Sequence, residues 1–220
     1  MILVPVKNTS SAKQRLASIL DQSLRTQLAQ AMLHDVLATL HAWKNRPKIG
    51  IVTGDPFAIR LSHEYQFDLI PDPDNPGETG AIEMATQVCV DRGEESTLVI
   101  PADIPLIEVW ELEEIFKHAP TEGSVLVPAG DGRGTNAALR RPASLFPLCF
   151  GDDSFKPHRA AAEATGKPCV ILHLPGTAVD VDHPPDLRQL LILPGETRAQ
   201  RLARSWNLPE QLLAPQANGV

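Results

Sequence analysis

Short apolar runs alternate with segments of helical periodicity along most of the chain, and this alternation limits the fold more than any other feature. The clearest helical segment spans residues 21–42, where apolar side chains recur at near-helical spacing. The pattern predicts strands at residues 2–6, 49–52, 67–70, 97–100, 124–127 and 169–172, and helices at 21–42, 56–65, 81–91, 109–118 and 155–165. Such an order is typical of an α/β fold, here a three-layer α/β/α sandwich with a mostly parallel mixed sheet.

The length and composition fit one such domain with a short addition at its end. The chain has 220 residues, of which 43% are hydrophobic and 21% are charged, so it can bury a core. We assign residues 1–193 to the main domain and residues 194–220 to a C-terminal appendage. A short helix at 197–206 and a tail rich in Pro, Gln and Asn are expected within the appendage.

Charge and cysteine usage exclude some classes of partner. The 20 Lys and Arg residues against 27 Asp and Glu give a net charge of −7, which argues against nucleic acid as a partner. The three cysteines lie far apart and form no C-x-x-C pair, which fits a reducing compartment. No apolar run approaches the roughly 20 residues that a membrane span needs. We therefore expect a cytoplasmic protein that does not bind a membrane.

Three aspartates stand where ligands gather in parallel sheets, at the carboxyl ends of strands. Asp103 directly follows the strand predicted at 97–100, between two prolines. If residues 179–182 are extended, Asp180 and Asp182 share a face and repel each other unless a cation lies between them. Together the three carboxylates predict a Mg²⁺ site that receives a phosphate. The alternatives are a turn or helix-capping aspartate at 103 and a solvated edge strand at 179–182.

Two other segments are candidates for phosphate binding. Residues 10–16 follow the first strand and carry Lys13 and Arg15, so a polyphosphate could bind there; an ordinary helical turn with surface cations is the alternative. Residues 150–155 lead into a predicted helix, whose N-terminus and Ser154 hydroxyl suit a substrate phosphate. Asp153 or Ser154 acting as a plain N-cap is the alternative.

Two further features are interpreted as non-catalytic. The glycine-rich residues 130–136 are not followed by a helical pattern, so they do not form a dinucleotide-binding fingerprint. Cys149 is interpreted as a core residue and not as a nucleophile, because no base can be placed beside it.

Taken together, these segments resemble the phospholactate/phosphoenolpyruvate guanylyltransferases, which supply the guanylylated phospho-acid used to build coenzyme F-420. The resemblance runs from the first residues to about residue 193. It rests on the following motifs, in this order: Val4-Pro5-Val6-Lys7, Ala12-Lys13-x-Arg15-Leu16, Pro101-Ala102-Asp103-Ile104-Pro105, Gly134-Thr135-Asn136, Phe150-Gly151-x-x-Ser154-Phe155-x-x-His158 and Asp180-Val181-Asp182-x-Pro184-x-Asp186-Leu187.

The resemblance implies a GT-A-like nucleotidyltransferase fold of the nucleotide-diphospho-sugar transferase type, with GTP as donor and Mg²⁺ as cofactor. Carried onto matching positions, it implies metal binding by Asp103, Asp180 and Asp182, and contacts from Lys13 and Arg15 to the GTP phosphates. It also implies a phospho-acid site formed by the motifs at 134–136 and 150–158, with Thr135, Gly151, Ser154 and His158 as its residues. Residues 77–81, Gly-Glu-Thr-Gly-Ala, depart from the Asn-containing segment expected to contact the nucleoside, which leaves the base contacts open.

Other functions stay open at this point. A nucleotidyltransferase for a sugar phosphate or the molybdenum pterin usually carries a glycine-rich loop after its first strand, whereas this chain has Val4-Pro5-Val6-Lys7 there. A non-catalytic nucleotide-binding module could use the same fold. Phosphoenolpyruvate, 2-phospho-L-lactate and 3-phospho-D-glycerate are equally acceptable as acceptors. The oligomeric state is open, with a homodimer as one option.

Overall fold

The computed structural model describes residues 1–73, 77–151 and 153–209. Every predicted strand and helix is present, with ends that shift by no more than three residues. The strands are β1 (Ile2–Val6), β2 (Ile49–Thr53), β3 (Asp68–Pro71), β4 (Thr97–Val99), β5 (Gly123–Pro128), β6 (Thr135–Arg141) and β7 (Cys169–Ile171). The helices are α1 (Gln22–Ala42), α2 (Pro56–Glu64), α3 (Glu78–Asp91), α4 (Val109–Lys117), α5 (Phe155–Ala164), α6 (Pro184–Ile192) and α7 (Arg198–Ser205).

In the described ranges the strands form one sheet in the order β3-β2-β1-β4-β6-β5-β7. β6 runs antiparallel to β4 and β5, and the other neighbouring pairs are parallel. The predicted mostly parallel mixed sheet is therefore confirmed. Because β6 is reversed, it begins at the edge of the sheet where β1 and β4 end, and residues from all three strands can meet there.

Helices cover both faces of the sheet, as the α/β/α prediction requires. Apolar side chains of α1, α2 and α4 bury one face, and those of α3 and α5 bury the other. A third apolar cluster lies between α1, α6 and α7 and includes Leu28, Leu187 and Ala203. None of the helices in the described part of the chain is long and apolar enough to cross a bilayer.

The pairing of β5 with β6 contains a bulge. Val127 pairs with Ala137, but the next pair joins Pro128 to Thr135, so β6 has one extra residue there, Asn136. In a regular strand Thr135 would share a face with Ala137, which packs with the α1 side of the core. The extra residue turns Thr135 to the opposite face, towards α5.

The last helices include one that periodicity did not predict. α6 opens with Pro184 and Pro185 at its first two positions, which mask the helical signal although proline is well tolerated there. α7 confirms the short helix predicted at 197–206, and its first N–H groups donate to the Asp35 carboxylate of α1 at 2.9 and 2.8 Å. The boundary after residue 193 stays a prediction, and most of the predicted tail, residues 210–220, lies outside the described residues.

Candidate active site

The two loops that carry the predicted acidic residues lie side by side at the edge where β4 ends. The backbone N–H of Val181 donates to the Asp103 carbonyl oxygen at 3.2 Å. The loops also meet at Gly176, where a Cβ atom would lie 2.2 Å from the Leu106 carbonyl oxygen, so only glycine fits. The segment at 179–182 pairs with no strand in the described ranges, so the edge-strand alternative is wrong.

A buried carboxylate, that of Glu111, holds the two acidic loops in this position. Glu111, fully buried in the first turn of α4, accepts hydrogen bonds from the backbone N–H groups of Gly176 at 2.7 Å and Thr177 at 3.3 Å. It also accepts from the Thr177 hydroxyl at 3.3 Å. The loop that carries Asp180 and Asp182 is therefore anchored to the helix that follows the Asp103 loop.

Lys13 bridges two of the three predicted carboxylates. It adopts a left-handed backbone conformation (φ 57°) between two 3₁₀ turns, Thr9–Ser11 and Gln14–Leu16. Its Nζ atom lies 2.6 Å from Oδ2 of Asp103 and 2.7 Å from Oδ1 of Asp182. The side chain is only 8% exposed, so the surface-cation alternative is wrong for Lys13.

The charges in this cluster stabilise one another. Burial alone would lower the pKa of Lys13, but Asp103 and Asp182 outweigh that effect and hold it above its usual value. Burial would likewise raise the pKa of Asp182, yet Lys13 and then Arg15 keep it below its usual range. Arg15 is more exposed than Lys13, and its guanidinium lies 3.4 Å from Oδ2 of Asp182. Both predicted cations therefore face the acidic loops.

Asp180 is held by a residue that the site prediction did not assign. The Asn136 side-chain amide donates to Oδ1 of Asp180 at 3.0 Å and to the Thr177 carbonyl oxygen at 2.9 Å. Burial raises the pKa of Asp180 to about 6, and Asp103 and Asp182 add to the shift while Asn136 opposes it. The motif Gly134-Thr135-Asn136 contains this residue and was the only sequence signal for it. The contact from Asn136 to Asp180 could not be predicted, because it depends on the bulge in β6.

The donor chemistry of these carboxylates suits a hard divalent cation. Asp103, Asp180 and Asp182 offer oxygen ligands, and the raised pKa of Asp180 indicates a site that favours added positive charge. Within the described residues, no group of three or more His, Cys, Asp or Glu side chains could hold a metal ion by itself. Mg²⁺ commonly takes one or two carboxylates and completes its shell with water and substrate phosphate, so the residues present fit it.

A second polar cluster lies where α5 begins. The Ser154 hydroxyl is 3.3 Å from Oγ1 of Thr135, and Nδ1 of His158 is 2.9 Å from the same oxygen. Ser154 occupies the N-cap position of α5, as the alternative expects, but its side chain makes no capping bond there in the described structure and its hydroxyl contacts Thr135 instead. Gly151 is exposed, and a Cβ atom added to it would meet open space. Three of the four predicted phospho-acid residues thus meet, and Gly151 lies in the segment beside them.

The segment before Gly151 is pinned to both neighbouring helices. The backbone N–H of Cys149 donates to Nε2 of His158 at 2.8 Å, and that of Phe150 donates to the Thr79 hydroxyl at 3.0 Å. The Cys149 side chain is exposed, so its interpretation as a core residue is wrong: its backbone N–H is held by His158, but its side chain lies at the surface.

A cavity of about 340 Å³ adjoins the carboxylates. Its walls combine the loop after β1, the residues after β4 and one side of α1, and include Lys7, Asn8, Thr9, Lys13, Met32, Glu78, Asp103 and Asp182. Glu78 belongs to the segment that departs from the family pattern. Burial raises its pKa to about 7, with a smaller contribution from Asp103. The cavity therefore joins an apolar wall to charged groups, as a nucleotide requires.

The fold is similar to that of the nucleotide-diphospho-sugar transferases. A solved structure from Desulfovibrio desulfuricans G20, described as such a transferase, has a TM-score of 0.77 over 96% of this chain and 95% of that chain. At 19% identity this likeness shows the fold alone. Residues 1–210 match the family described as guanylyl transferase CofC like, and the chain belongs to that family.

Two relatives illustrate the range of the family. The phosphoenolpyruvate guanylyltransferase of Roseiflexus castenholzii is 34% identical over 204 residues, covering 93% of each chain. The 3-phospho-D-glycerate guanylyltransferase of Colwellia psychrerythraea is 30% identical over 193 residues, covering 87% of this chain and 91% of its own. These two similar proteins are thus named for different phospho-acids.

Proposed function

We propose that this chain transfers GMP from GTP to the phosphate of a small phospho-carboxylic acid and releases pyrophosphate, as a step in coenzyme F-420 biosynthesis. The acceptor would be phosphoenolpyruvate, 2-phospho-L-lactate or 3-phospho-D-glycerate. One observation carries the proposal: Thr135 and Asn136, consecutive on β6, join the Thr135–Ser154–His158 cluster to the carboxylate cluster. The site therefore has two adjoining halves, one for each substrate.

In the reaction, an oxygen of the acceptor phosphate forms a bond to the α-phosphorus of GTP. The bond from that phosphorus to the bridging oxygen of the leaving group breaks, and pyrophosphate departs with the electron pair. The acceptor phosphate is already anionic at neutral pH, so the step needs no general base. His158 agrees with this, because both of its ring nitrogens are taken by internal hydrogen bonds.

The main obstacle is the repulsion between two anionic substrates, and the chain supplies groups that reduce it. Lys13 lines the cavity and Arg15 faces Asp182 beside it, so the triphosphate would lie against both positive charges. Asp103, Asp180 and Asp182 would hold Mg²⁺, which supplies charge neutralisation to the phosphates when bound. The Ser154 hydroxyl and the start of α5 would face the acceptor phosphate.

The remaining parts of the proposal concern partners and location. The net charge of −7 supports the absence of nucleic acid among the partners. The three cysteines are all free thiols, which supports a reducing, cytoplasmic location. A homodimer stays a prediction, which analytical ultracentrifugation would test.

The direct test is pyrophosphate release from GTP and Mg²⁺ with each of the three acids supplied separately. ATP and CTP in place of GTP are the controls for the base. We expect release that requires both GTP and one of the acids. Release only with a sugar phosphate or a pterin would identify another acceptor. GTP binding without release in any mixture would indicate a non-catalytic module.

A further inference from the structure

His158 has a fixed tautomer, and the hydrogen bonds around it show which one. The ring is buried, with 1% of its surface exposed. Its Nε2 atom lies 2.8 Å from the backbone nitrogen of Cys149, and a backbone N–H can only donate. Nε2 must therefore be the unprotonated nitrogen of a neutral ring, and the ring hydrogen is on Nδ1. Burial, with a smaller contribution from Arg140, lowers the pKa of His158 to about 4, so the ring is neutral at pH 7.

This tautomer sets the direction of the hydrogen bonds that follow. Nδ1–H donates to Oγ1 of Thr135 at 2.9 Å, and the Ser154 and Thr135 hydroxyls share a further bond at 3.3 Å. The cluster has three hydrogens to donate, one on the ring and one on each hydroxyl. Its two internal bonds use two of them, whichever hydroxyl donates to the other. One hydroxyl hydrogen is left over and can be donated out of the cluster.

We infer that His158 is a positioning residue that leaves the Thr135–Ser154 pair with one hydroxyl hydrogen to donate. The pair would donate it to an anionic oxygen of the phospho-acid and so favour substrates that carry such an oxygen. The inference rests on the proposed function, since it assigns the pair to the phospho-acid. It differs from direct substrate binding by His158, whose two nitrogens both face inward. In the opposite tautomer Nδ1 would accept a hydrogen bond from the Thr135 hydroxyl. Both hydroxyl hydrogens would then be used inside the cluster, and none would be left for a substrate.

The ring also places the neighbouring backbone. Because Nε2 accepts from Cys149, it fixes the segment that continues to Gly151, and the Phe150 ring packs edge-on against it with centroids 5.0 Å apart. One imidazole therefore sets the hydroxyl pair on one side and the backbone beside Gly151 on the other. Both lie at the start of α5, where an acceptor phosphate would be received.

Two substitutions separate these roles. In His158→Asn the amide nitrogen occupies the place of Nδ1 and can still donate to Thr135. In His158→Gln the side-chain oxygen reaches the place of Nε2 and can accept from Cys149, but the donor to Thr135 is lost. We expect the Gln variant to raise KM for the phospho-acid by about 10- to 100-fold while KM for GTP stays unchanged. The Asn variant should recover most of that loss.

Equal losses in the two variants, or a parallel rise in KM for GTP, would overturn the inference because a merely structural role would produce them. ¹⁵N-edited NMR of the imidazole in the unmodified protein gives a second test that needs neither variant to fold. We expect hydrogen on Nδ1 and none on Nε2, and the reverse would refute the inference. This measurement is independent of activity, so failure of the proposed guanylyl transfer would be seen separately.

Discussion

The Nζ atom of Lys13 lies 2.6 Å from Oδ2 of Asp103, although 90 residues separate the two in the chain. The ammonium continues to Asp182, so one buried cation links the loop after β1 to both acidic loops. In the proposed reaction this cation would also face the triphosphate.

Replacing Lys13 tests that link. We expect Lys13→Met to lower kcat by about 100- to 1,000-fold, because a positioned charge at the reacting phosphates is lost. The free energy of unfolding should fall as well, since two carboxylates lose their partner. Lys48→Met is the matched control: Lys48 is exposed and pairs with Glu94 at 2.9 Å, so its removal should leave both quantities nearly unchanged. Steady-state kinetics and urea unfolding measure the two effects, and equal behaviour of the variants would contradict the assignment.

The metal assignment predicts a different pattern. Asp103→Asn and Asp180→Asn should each lower turnover by about 100-fold or more at any Mg²⁺ concentration, with the fold retained. Asp91→Asn, at the exposed end of α3, is the control and should be silent. Turnover is measured across a Mg²⁺ titration, with circular dichroism as the check on folding. Near-normal activity of both site variants at saturating Mg²⁺ would falsify the assignment.

Asn136 should contribute to stability as well as to the site. Asn136→Ala removes the donor to Asp180 and to the Thr177 carbonyl oxygen, which leaves buried acceptors without that partner. We expect a loss of about 2 kcal/mol in the free energy of unfolding and a weaker apparent affinity for Mg²⁺. Asn45→Ala, at an exposed position, is the control. A variant as stable as the unmodified protein would show that the amide does not hold the loop.

Stability should depend on pH through His158. Its pKa falls from 6.5 to about 4 on folding, so the unfolded chain binds the extra proton in that interval. The contribution is fully present above about pH 6.5 and is lost as the pH falls towards 4, by about 3 kcal/mol in total. Urea unfolding at several pH values measures it, and His158→Asn should show a shallower dependence. An identical slope in the variant would rule out His158 as the source.

The same substitution, glycine to alanine, should affect stability at one position and substrate binding at another. Gly176→Ala places a Cβ atom against the Leu106 carbonyl oxygen, so we expect a loss of about 2 kcal/mol or more in stability. Gly151→Ala adds a methyl group to open space, so stability should hold while KM for the phospho-acid rises. Thermal unfolding and acceptor kinetics separate the two. A destabilised Gly151 variant with unchanged kinetics would contradict its place in the acceptor site.

The strands could be predicted from the sequence because buried strands appear as nearly continuous apolar runs. The start of α3 was placed three residues late, since Glu78 and Gly80 do not extend the apolar pattern. The acidic residues could be predicted from their positions after strands. The bridge from Lys13 could not, because it depends on a left-handed backbone and on contacts between distant segments. The roles of Asn136 and His158 likewise arise only after β6 and α5 have packed.

The bulge in β6 separates substitutions that affect the α5 side of the site from those that affect the carboxylates. Thr135 and Asn136 are consecutive, yet the first contacts α5 and the second contacts the acidic loop. In the proposed reaction, substitutions on α5 would therefore change the residues that face the acceptor without changing a contact of the carboxylates. A lineage could thus exchange one phospho-acid for another while its treatment of the nucleotide stayed constant. In the proposed enzyme, the single extra residue in β6 would let these two halves change independently.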